Sequence, residues 1–599
     1  MVLRAAATPP PGPAHRLGTR TTPRASLADT HRVPEPPTTP QEPTMTPSPS
    51  SAPSRRTFVG LSAAAFASLG LSACGGSAAE DVDVASQNVG AMETYEADQQ
   101  FTATEPITLS ILWTDWPESP VTESWQVFDH IEELTNVRLE LVHVPFSDSV
   151  EKRSLLISAG DAPDLIPLIY RGDETPFVSS GAILPLSDFI EHMPHFRKYV
   201  QEWELGDMID TLRQADGKYY MLPGLQEVWV PSFSLIIRTD VWEEVGIGVP
   251  STWDEVHEGL RAIKERYPES LPLADGFEGQ SLINYGGYAF GTRAGWGFGD
   301  GMVGGHDGGP LEYAATTVEY REMVEYFRML VEEGLLDTET LTASNDGSGA
   351  GDVVEKFANE TCFAASGSSG TAIEFAQALD ATLGRDNYEV RLIPPPAGPA
   401  GSIMGPRNFW HGFMLNAELA DSENFLAILQ FLDWLYFNPE AREMLRWGIE
   451  GETYTKGPDG TIELEEGYSL KNFDLQVDAE TDLLEDLGFS TFLSEATESR
   501  ALKESYNSAS FAEYVDGVVE NLEPMPPWVP APLEEAELEQ TSLMATPLKD
   551  TVDTNTLRFI LGERDMGEWD AFLAELEASG LSAYVDLLND ARERFEKGS

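Results

Sequence analysis

Strand-like and helix-like segments alternate along residues 107–170, and this alternation constrains the fold more than any other feature of the sequence. In ITLSILW, residues 107–113, every second side chain is apolar, which predicts a strand with one buried face. A helical pattern follows, then the strand VRLELVHV, a helix at 149–159 and the short apolar strand DLIPLIY. Strands separated by helices predict a parallel α/β sheet with right-handed crossovers.

Similar segments continue to the end of the chain. Thr252 and Glu255 form a T-x-x-E capping box at the start of a predicted helix. Asn438-Pro439 ends one amphipathic helix and opens the next. Residues 284–310 are rich in glycine and aromatic residues and are predicted to form a loop, whereas the tail at 556–597 is predicted to be helical.

Charge and cysteine content exclude several classes of protein. The 599 residues include 38 Lys and Arg against 100 Asp and Glu, a net charge of −62. Such a surface repels nucleic acids and anionic lipid headgroups, so neither is expected as a partner. The two cysteines, Cys74 and Cys362, cannot form a disulfide scaffold, and Cys362 in TCFAA is predicted to be a small buried hydrophobe. No metal-type Cys/His spacing occurs, so neither a metal nor a cofactor is expected.

An export signal is predicted at SRRTFVGLSAAAFASLGLSACGG, residues 54–76. Its apolar run is shorter than the roughly 20 residues that span a bilayer, and a basic pair precedes it. Arg55 and Arg56 resemble a twin-arginine motif. Leu71 to Cys74 resembles the bacterial lipobox, which implies that Cys74 is lipidated, for example with palmitate. The alternative is a buried helix with a chance cysteine.

The signal divides the N-terminal part of the chain into three predicted segments. Residues 1–44 are expected to be a disordered or non-native extension, because their composition cannot form a core and Met45 is a better start. Residues 45–73 are the predicted signal peptide. Residues 74–104 are the predicted lipidated cysteine and flexible tether.

Aromatic and charged side chains lie where the predicted strands end. Trp113, Asp115 and Trp116 follow the first strand, and Tyr170 with Arg171 ends the third. In open α/β sheets ligands bind beyond the carboxyl ends of the strands, so these residues are predicted to face one crevice. Aromatic faces suit sugar rings, and charged groups suit sugar hydroxyls. Trp113 could equally be a core residue.

Several stretches together resemble extracellular solute-binding proteins of family 1, the lipoproteins of sugar ABC importers, and in particular the LipO-like group related to alginate-oligosaccharide binders. The stretches that carry the resemblance are GDAPDLI, DGKYYMLP, IIRTDVWEEVGIGVPSTWDEV, WGIEGETYT and the C-terminal LRFILGERDMGEWDAFLAELEASGLSAYVDLLNDARERF. They span nearly all of residues 105–597 in the family's order.

The resemblance implies a type II periplasmic-binding-protein fold, two discontinuous α/β lobes that close on a ligand like a Venus flytrap. Lobe 1 is then expected at 105–228 plus 409–445, and lobe 2 at 229–408 plus 446–545. Residues 546–599 are expected to form C-terminal helices that pack on the body. The family's pocket is an interlobe cleft of aromatic and acidic residues. The resemblance therefore implies eight ligand-binding residues, which are Trp113, Asp115, Trp116, Tyr170, Trp229, Trp296, Trp410 and Glu450. Glu450 could equally belong to a structural turn.

The function implied by the resemblance is binding without bond cleavage. A monomeric protein, lipid-anchored on the outer face of the cytoplasmic membrane, is expected to capture a carbohydrate and to dock on ABC permease subunits. Two alternatives remain open at this point, a secreted carbohydrate-active enzyme and a peptide-binding lipoprotein. Chance pairs among the 100 acidic residues are not evidence for a glycosidase.

Overall fold

A computed structural model describes residues 82–598, except 118, 123, 307, 343–350, 386, 408, 459 and 528. The predicted signal peptide, with Arg55 and Arg56, and the predicted lipidation site Cys74 lie outside the described residues. None of the helices in the described ranges is both long enough and apolar enough to cross a bilayer.

The strands, in chain order, are β1 Ile107–Asp115, β2 Val137–Pro145, β3 Leu165–Ile169, β4 Leu222–Pro223, β5 Ser234–Arg238, β6 Leu273–Asp275, β7 Met302–Gly304, β8 Leu311–Tyr313, β9 Ala364–Gly367, β10 Val390–Leu392, β11 Ile403–Met404, β12 Gly412–Leu415, β13 Tyr454–Lys456, β14 Ile462–Leu464, β15 Tyr468–Ser469, β16 Thr481–Asp482 and β17 Glu523–Pro524. The α-helices are α1 Val127–Thr135, α2 Ser149–Ala159, α3 Thr175–Val178, α4 Pro194–Glu202, α5 Gly206–Asp210, α6 Thr239–Glu244, α7 Trp253–Arg266, α8 Gln280–Phe290, α9 Val318–Glu332, α10 Gly351–Ala358, α11 Ser369–Thr382, α12 Phe425–Phe437, α13 Pro439–Trp447, α14 Phe492–Glu495, α15 Arg500–Tyr506, α16 Ala509–Asn521, α17 Glu535–Ile560, α18 Trp569–Ala578 and α19 Leu581–Gly598.

The first sheet has five strands in the order β2-β1-β3-β12-β4. β1 is parallel to β2 and β3, as the alternating segments predict, and the returning strand β12 is antiparallel to β3 and β4. Ile107, Leu109 and Ile111 of β1 are buried while Thr108 between them is exposed, so the period-two pattern does mark the core face.

The second sheet has four strands in the order β10-β5-β9-β6. β5 is antiparallel to β9 and β10, and β6 is parallel to β9. Leu235 and Ile237 of β5 belong to one core cluster, and Ile236 between them belongs to another. Both faces of this sheet are therefore covered, which explains why β5 is apolar at successive positions rather than alternately.

Residues 447–506 pack with the first sheet. Trp447, Phe489 and Tyr506 belong to the same core cluster as Ile111 of β1, whereas Phe511 of α16 belongs to a cluster of the second sheet. The prediction places residues 446–545 in lobe 2, whereas the part of this segment up to Tyr506 packs with the first sheet. Hydrophobic periodicity shows that a segment has a core face but not which core receives it; the lobe boundaries as a whole stay a prediction.

The C-terminal helices pack beside the second sheet. Leu548 and Phe559 of α17, Phe572 of α18 and Leu588 of α19 join the cluster that contains Leu235 of β5. In the chain before these helices, the exposed strand β17 pairs in parallel with β11.

The segment 82–104 does not behave as the flexible tether predicted for 74–104. Phe101 is fully buried in the first core cluster, and the backbone of Val89 donates a hydrogen bond to Glu423 O at 3.0 Å. The buried His195 contacts the segment through Asp98, whose backbone N–H lies 2.9 Å from Nε2. The composition of this segment is mostly polar, and only a few apolar residues anchor it to the core. Composition therefore did not indicate these contacts.

Two local predictions have mixed outcomes. Thr252 Oγ1 accepts from Glu255 N at 3.1 Å, but the Glu255 carboxylate accepts from Ser251 rather than from Thr252, so the capping box is half formed. Residues 284–290, predicted as loop, belong to helix α8, because the aromatic and small side chains of this stretch are buried on several sides. Cys362 is buried as predicted.

Candidate ligand-binding site

A cavity of about 330 Å³ lies between the two sheets, and we call it the Trp410 cavity. Trp410 comes just before β12 of the first sheet. Phe233 comes just before β5 of the second sheet, and Ser368 follows β9. Helices α13 to α16 supply the opposite wall. The lining residues whose chemistry matters are Trp229, Phe233, Ser368, Trp410, Arg446, Glu495, Glu498, Lys503 and Tyr506.

Aromatic rings form one side of this cavity. The Trp229 indole N–H donates to Gly405 O at 3.3 Å, which orients its ring. The rings of Trp410 and Tyr170 meet edge to face with 6.1 Å between centroids, and Phe233 meets Trp296 in the same way at 5.0 Å. Rings held by such contacts offer flat apolar faces with little freedom to lose on binding.

Charged groups on the opposite wall are paired with one another. Arg446 Nη2 lies 3.4 Å from Glu498 Oε1, and Arg446 Nη1 donates to Ser490 Oγ at 2.8 Å. The Tyr506 hydroxyl donates to the same Glu498 oxygen. Lys503 Nζ donates to Gln226 Oε1 at 3.4 Å. Because Arg446 and Glu498 are both buried, their pairing offsets the cost of removing each charge from water.

Burial disfavours the ionised form of Glu495, an acidic residue that lines the cavity. Desolvation raises the pKa of its carboxyl; the Arg446 charge and a hydrogen bond from the Trp410 side chain act in the opposite direction, and Glu498 adds to the rise. A carboxyl group accepts hydrogen bonds in either protonation state, which suits a ligand rich in hydroxyl groups.

A buried histidine lies behind the aromatic side of the cavity. His411 has 1% of its surface exposed, and its ring centroid is 6.2 Å from that of Trp410 and 6.3 Å from that of Tyr170. Desolvation, with a contribution from the Arg442 charge, lowers the pKa of His411 to about 3. The neutral imidazole therefore supports the two rings near neutral pH.

A second cavity, of about 640 Å³, is lined by Arg171, and we call it the Arg171 cavity. Arg171 and Glu174 come from the turn after β3, and Arg293, Trp296 and Asp300 come from the glycine-rich stretch after α8. Residues 529–533 and side chains of α17 and α19 close its outer side. The Phe233–Trp296 and Tyr170–Trp410 contacts connect the two cavities.

Three of the eight predicted binding residues line these cavities, and a fourth contacts one of them. Trp229 and Trp410 line the first cavity, Trp296 lines the second, and Tyr170, which is 47% exposed, contacts Trp410. Trp296 is exposed to 46%. Their contribution to binding stays a prediction that the placement supports.

Two others, at the end of β1, lie apart from the cavities. The Asp115 carboxylate lies 2.9 Å from His143 Nδ1. Trp116 stacks on Phe146 with 4.0 Å between ring centroids. Neither is among the residues that line the two cavities, so their role in binding stays a prediction without support from their position.

Trp113 and Glu450 are the remaining two. Trp113 is 2% exposed and packs edge-on against Trp125 and Phe128, so we leave it out of the proposed site. Glu450 is an exposed residue of a turn closed by a hydrogen bond from Gly451 N to Tyr454 O at 2.7 Å. Both arrangements correspond to the structural alternatives that the sequence left open.

Sequence reasoning missed Phe233, Arg446, Glu495, Glu498 and Tyr506. Phe233 follows Trp229 closely in VWVPSF, and that aromatic pairing before a strand was an available signal. The two glutamates lie in SEATESRALKESY, which does not stand out in a chain with 100 acidic residues. Within the described ranges, no group of three or more His, Cys, Asp or Glu is arranged to hold a metal ion.

Comparison with known proteins adds independent information. The family model described as bacterial extracellular solute-binding protein matches residues 118–441. The fructooligosaccharide ABC transporter substrate-binding protein FusA of Streptococcus pneumoniae serotype 4 is 24% identical over 544 residues, covering 85% of this chain and 95% of FusA. Lipoprotein LipO of Bacillus subtilis is 24% identical over 345 residues, covering 56% of this chain and 65% of LipO. The structure of alginate-binding protein AlgQ2 superposes with a TM-score of 0.62 at 18% identity, covering 83% of this chain and 100% of AlgQ2.

Proposed function

Because the chain belongs to the bacterial extracellular solute-binding proteins, with their type II two-lobed fold, we propose that it captures a carbohydrate, specifically an oligosaccharide, between its two sheets and delivers it to an ABC importer. One observation carries this proposal: aromatic rings and hydrogen-bonding carboxyls from around both sheets meet in the Trp410 cavity. FusA and AlgQ2 are named for a fructooligosaccharide and for alginate, which are both carbohydrates.

The position of the cavity supports a closing mechanism. Phe233 and Ser368 belong to the second sheet, and Trp410 with Glu495 belongs to the first sheet and its cluster. A ligand that contacts both groups stabilises the arrangement in which the sheets are close together, and its free energy of binding shifts the population toward that closed form. The closed form is the one proposed to dock on the permease subunits.

Lipid anchoring is part of the same proposal. The lipobox-like sequence at Cys74 and the relationship to lipoprotein LipO support an acylated N-terminus outside the cytoplasmic membrane, reached through a twin-arginine signal. The packed segment 82–104 leaves residues 75–81 as the connection between the proposed anchor and the body. Metabolic labelling with a palmitate analogue tests this assignment, and Cys74→Ser should abolish the label.

An enzymatic role has one specific observation in its favour, since two glutamates, Glu495 and Glu498, line the same cavity. Glycosidases require one carboxylate that is free to act as nucleophile or base. Glu498 is bound to Arg446 and to Tyr506, which leaves it poorly suited to that role. We therefore propose binding without cleavage.

Native mass spectrometry with an oligosaccharide library tests the proposed function. The expected result is a 1:1 complex with an intact sugar and no shorter products after prolonged incubation. Multiple turnovers to shorter sugars would establish an enzyme instead, and a co-purified peptide with no sugar binding would establish a peptide-binding protein.

A further inference from the structure

Arg171 differs from the other cationic side chains that line the cavities between the sheets. In the Arg171 cavity, Arg213 pairs with Asp210 at 2.8 Å and Arg293 pairs with Asp300 at 2.7 Å. In the Trp410 cavity, Arg446 pairs with Glu498. Across the described ranges, no hydrogen-bond acceptor and no carboxylate lies within bonding distance of the Arg171 guanidinium.

The nearest acidic groups are occupied elsewhere. Glu174 is 1% exposed; its two carboxylate oxygens accept from Gly172 N at 2.8 Å and from Gln214 Nε2 at 2.9 Å. Asp300 is held by Arg293. Desolvation lowers the pKa of Arg171, Asp300 and Glu174 act in the opposite direction, and the Arg293 charge adds to the fall. The Arg171 side chain is therefore half-buried, and its guanidinium has no ion-pair partner among the described residues.

The backbone that carries Arg171 is held in place by its neighbours. The Asp173 amide donates to Tyr170 O at 3.0 Å and closes the turn after β3. The Asp173 carboxylate accepts from Tyr170 N at 3.2 Å and pairs with the buried Arg153 at 2.7 Å. The backbone of Arg171 is therefore ordered before a ligand arrives, so that binding has to order only its side chain.

We propose that Arg171 binds a carboxylate of the ligand, so that the preferred ligand is an acidic oligosaccharide with uronate residues. This proposal rests on the proposed carbohydrate function and specifies its substrate class. The planar guanidinium has five N–H donors and pairs with a carboxylate through two parallel hydrogen bonds. The exposed ring of Trp296, in the same cavity, offers an adjacent face for the sugar ring.

The net charge of −62 opposes an anionic ligand at long range. That repulsion is screened over about 8–10 Å at physiological salt. The Arg171 contact acts at hydrogen-bond distance from a half-buried side chain, so salt weakens this contact much less. Selection for a carboxylate is therefore expected to depend on this one cation rather than on the surface charge.

The experiment compares one library of linear oligouronates with the same library after chemical reduction of its carboxyl groups. The two libraries share linkage and stereochemistry and differ in charge. Binding to the full-length purified chain is measured by native mass spectrometry and then by calorimetry for the best pair. Arg171→Gln removes the cation, Arg171→Lys keeps the charge without the planar fork, and Arg138→Gln removes an exposed cation of β2 as a matched control.

The wild-type chain should bind the best oligouronate at least 10-fold more tightly than its reduced form. Arg171→Gln should lower affinity for the oligouronate about 10- to 100-fold and leave the reduced sugar unaffected, Arg171→Lys should be intermediate, and Arg138→Gln should match wild type. Retained binding of the reduced sugar shows that the variant is folded.

Three results would overturn the proposal. Equal affinity for both libraries, or a preference that survives in Arg171→Gln, would show that Arg171 does not select a carboxylate while the carbohydrate function stands. Binding of no carbohydrate in either library would contradict the proposed function itself, and this proposal with it.

Discussion

The Trp410 cavity and the Arg171 cavity adjoin each other. The buried Arg446 of the first cavity is paired with a carboxylate, whereas Arg171 of the second is not paired within the described ranges. In the first, the buried Arg446 is balanced by Glu498, by Ser490 and by the ring of Tyr506, 4.1 Å from its guanidinium carbon. In the second, Arg171 has no such partner among the described residues. A charge paired within the protein supports structure, whereas a positioned charge without a partner is available to a ligand.

This difference separates the residues that hold the site together from those that select what it binds. The network of Arg446 and Glu498 joins α13 to the chain before α15, and it shapes the wall that faces Trp410. The turn that carries Arg171 needs no contact from its guanidinium to stay in place. Substitution of Arg446 should therefore affect stability, whereas substitution of Arg171 should affect ligand preference.

The largest expected effect is on stability in the Trp410 cavity. Arg446→Ala leaves Glu498 buried without its cation and should lower the free energy of unfolding by about 3–5 kcal/mol. Urea unfolding followed by tryptophan fluorescence measures this loss. Arg138→Ala, at an exposed position of β2, is the control and should change stability by less than about 0.5 kcal/mol. A loss below about 1 kcal/mol for Arg446→Ala would remove the distinction between the two cavities.

The next effect is on affinity. Trp410→Ala removes the ring that faces the cavity and should weaken sugar binding about 30-fold, equivalent to about 2 kcal/mol. Calorimetry with the best ligand of the oligosaccharide library measures the change. Trp203→Ala is the matched control, because Trp203 stacks on Tyr199 away from both cavities. Equal affinities of Trp410→Ala and wild type would exclude Trp410 from the site.

The third prediction concerns the histidine that contacts the rings between the two cavities. Since the pKa of His411 is lowered to about 3, the unfolded chain binds a proton there at higher pH than the folded chain. The stability that depends on the neutral imidazole is complete above about pH 6.5 and is lost as pH falls toward 3.

His411→Phe should remove this acid sensitivity. Between pH 6 and pH 4, wild-type stability should fall more steeply than that of the variant, by about 1.4 kcal/mol per pH unit. The exposed His143→Phe serves as control, and its curve should follow wild type. Parallel curves for wild type and His411→Phe would show that His411 is not buried as described.

The smallest expected effect is on stability in the Arg171 cavity. Arg171→Gln removes a desolvated cation that has no counterion, so the free energy of unfolding should stay within about 0.5 kcal/mol of wild type or rise. The urea experiment described for Arg446 measures it under identical conditions. A loss similar to that of Arg446→Ala would mean that Arg171 is structural, which would contradict the contrast between the cavities.

Local patterns predicted the elements and part of the site. The period-two pattern of β1 and the helical spacing at 149–159 depend on residues close in sequence, and the structure confirms both. Asn438 caps α13 through two backbone amides, as the Asn-Pro pair predicts. The family resemblance implied a cleft with aromatic residues; Trp229, Trp296 and Trp410 line the two cavities, and their part in binding stays a prediction.

Other features depend on which distant segments meet. Trp113 lies in β1 and Trp410 lies just before β12 of the same sheet, yet Phe128 packs on Trp113 whereas Trp410 faces a cavity. Phe101 lies in a polar stretch and becomes a core residue only because α12 contacts it, with 6.1 Å between its ring and that of Phe431. No pattern along the chain marks these outcomes.

A crystal structure of the chain with an oligosaccharide from the binding library tests the central claim most directly. The account predicts an intact sugar in the Trp410 cavity, with one ring against Trp410 and hydrogen bonds to side chains from both sheets, and with any carboxylate at Arg171. A sugar bound outside the two cavities, or a cleaved product within them, would contradict it.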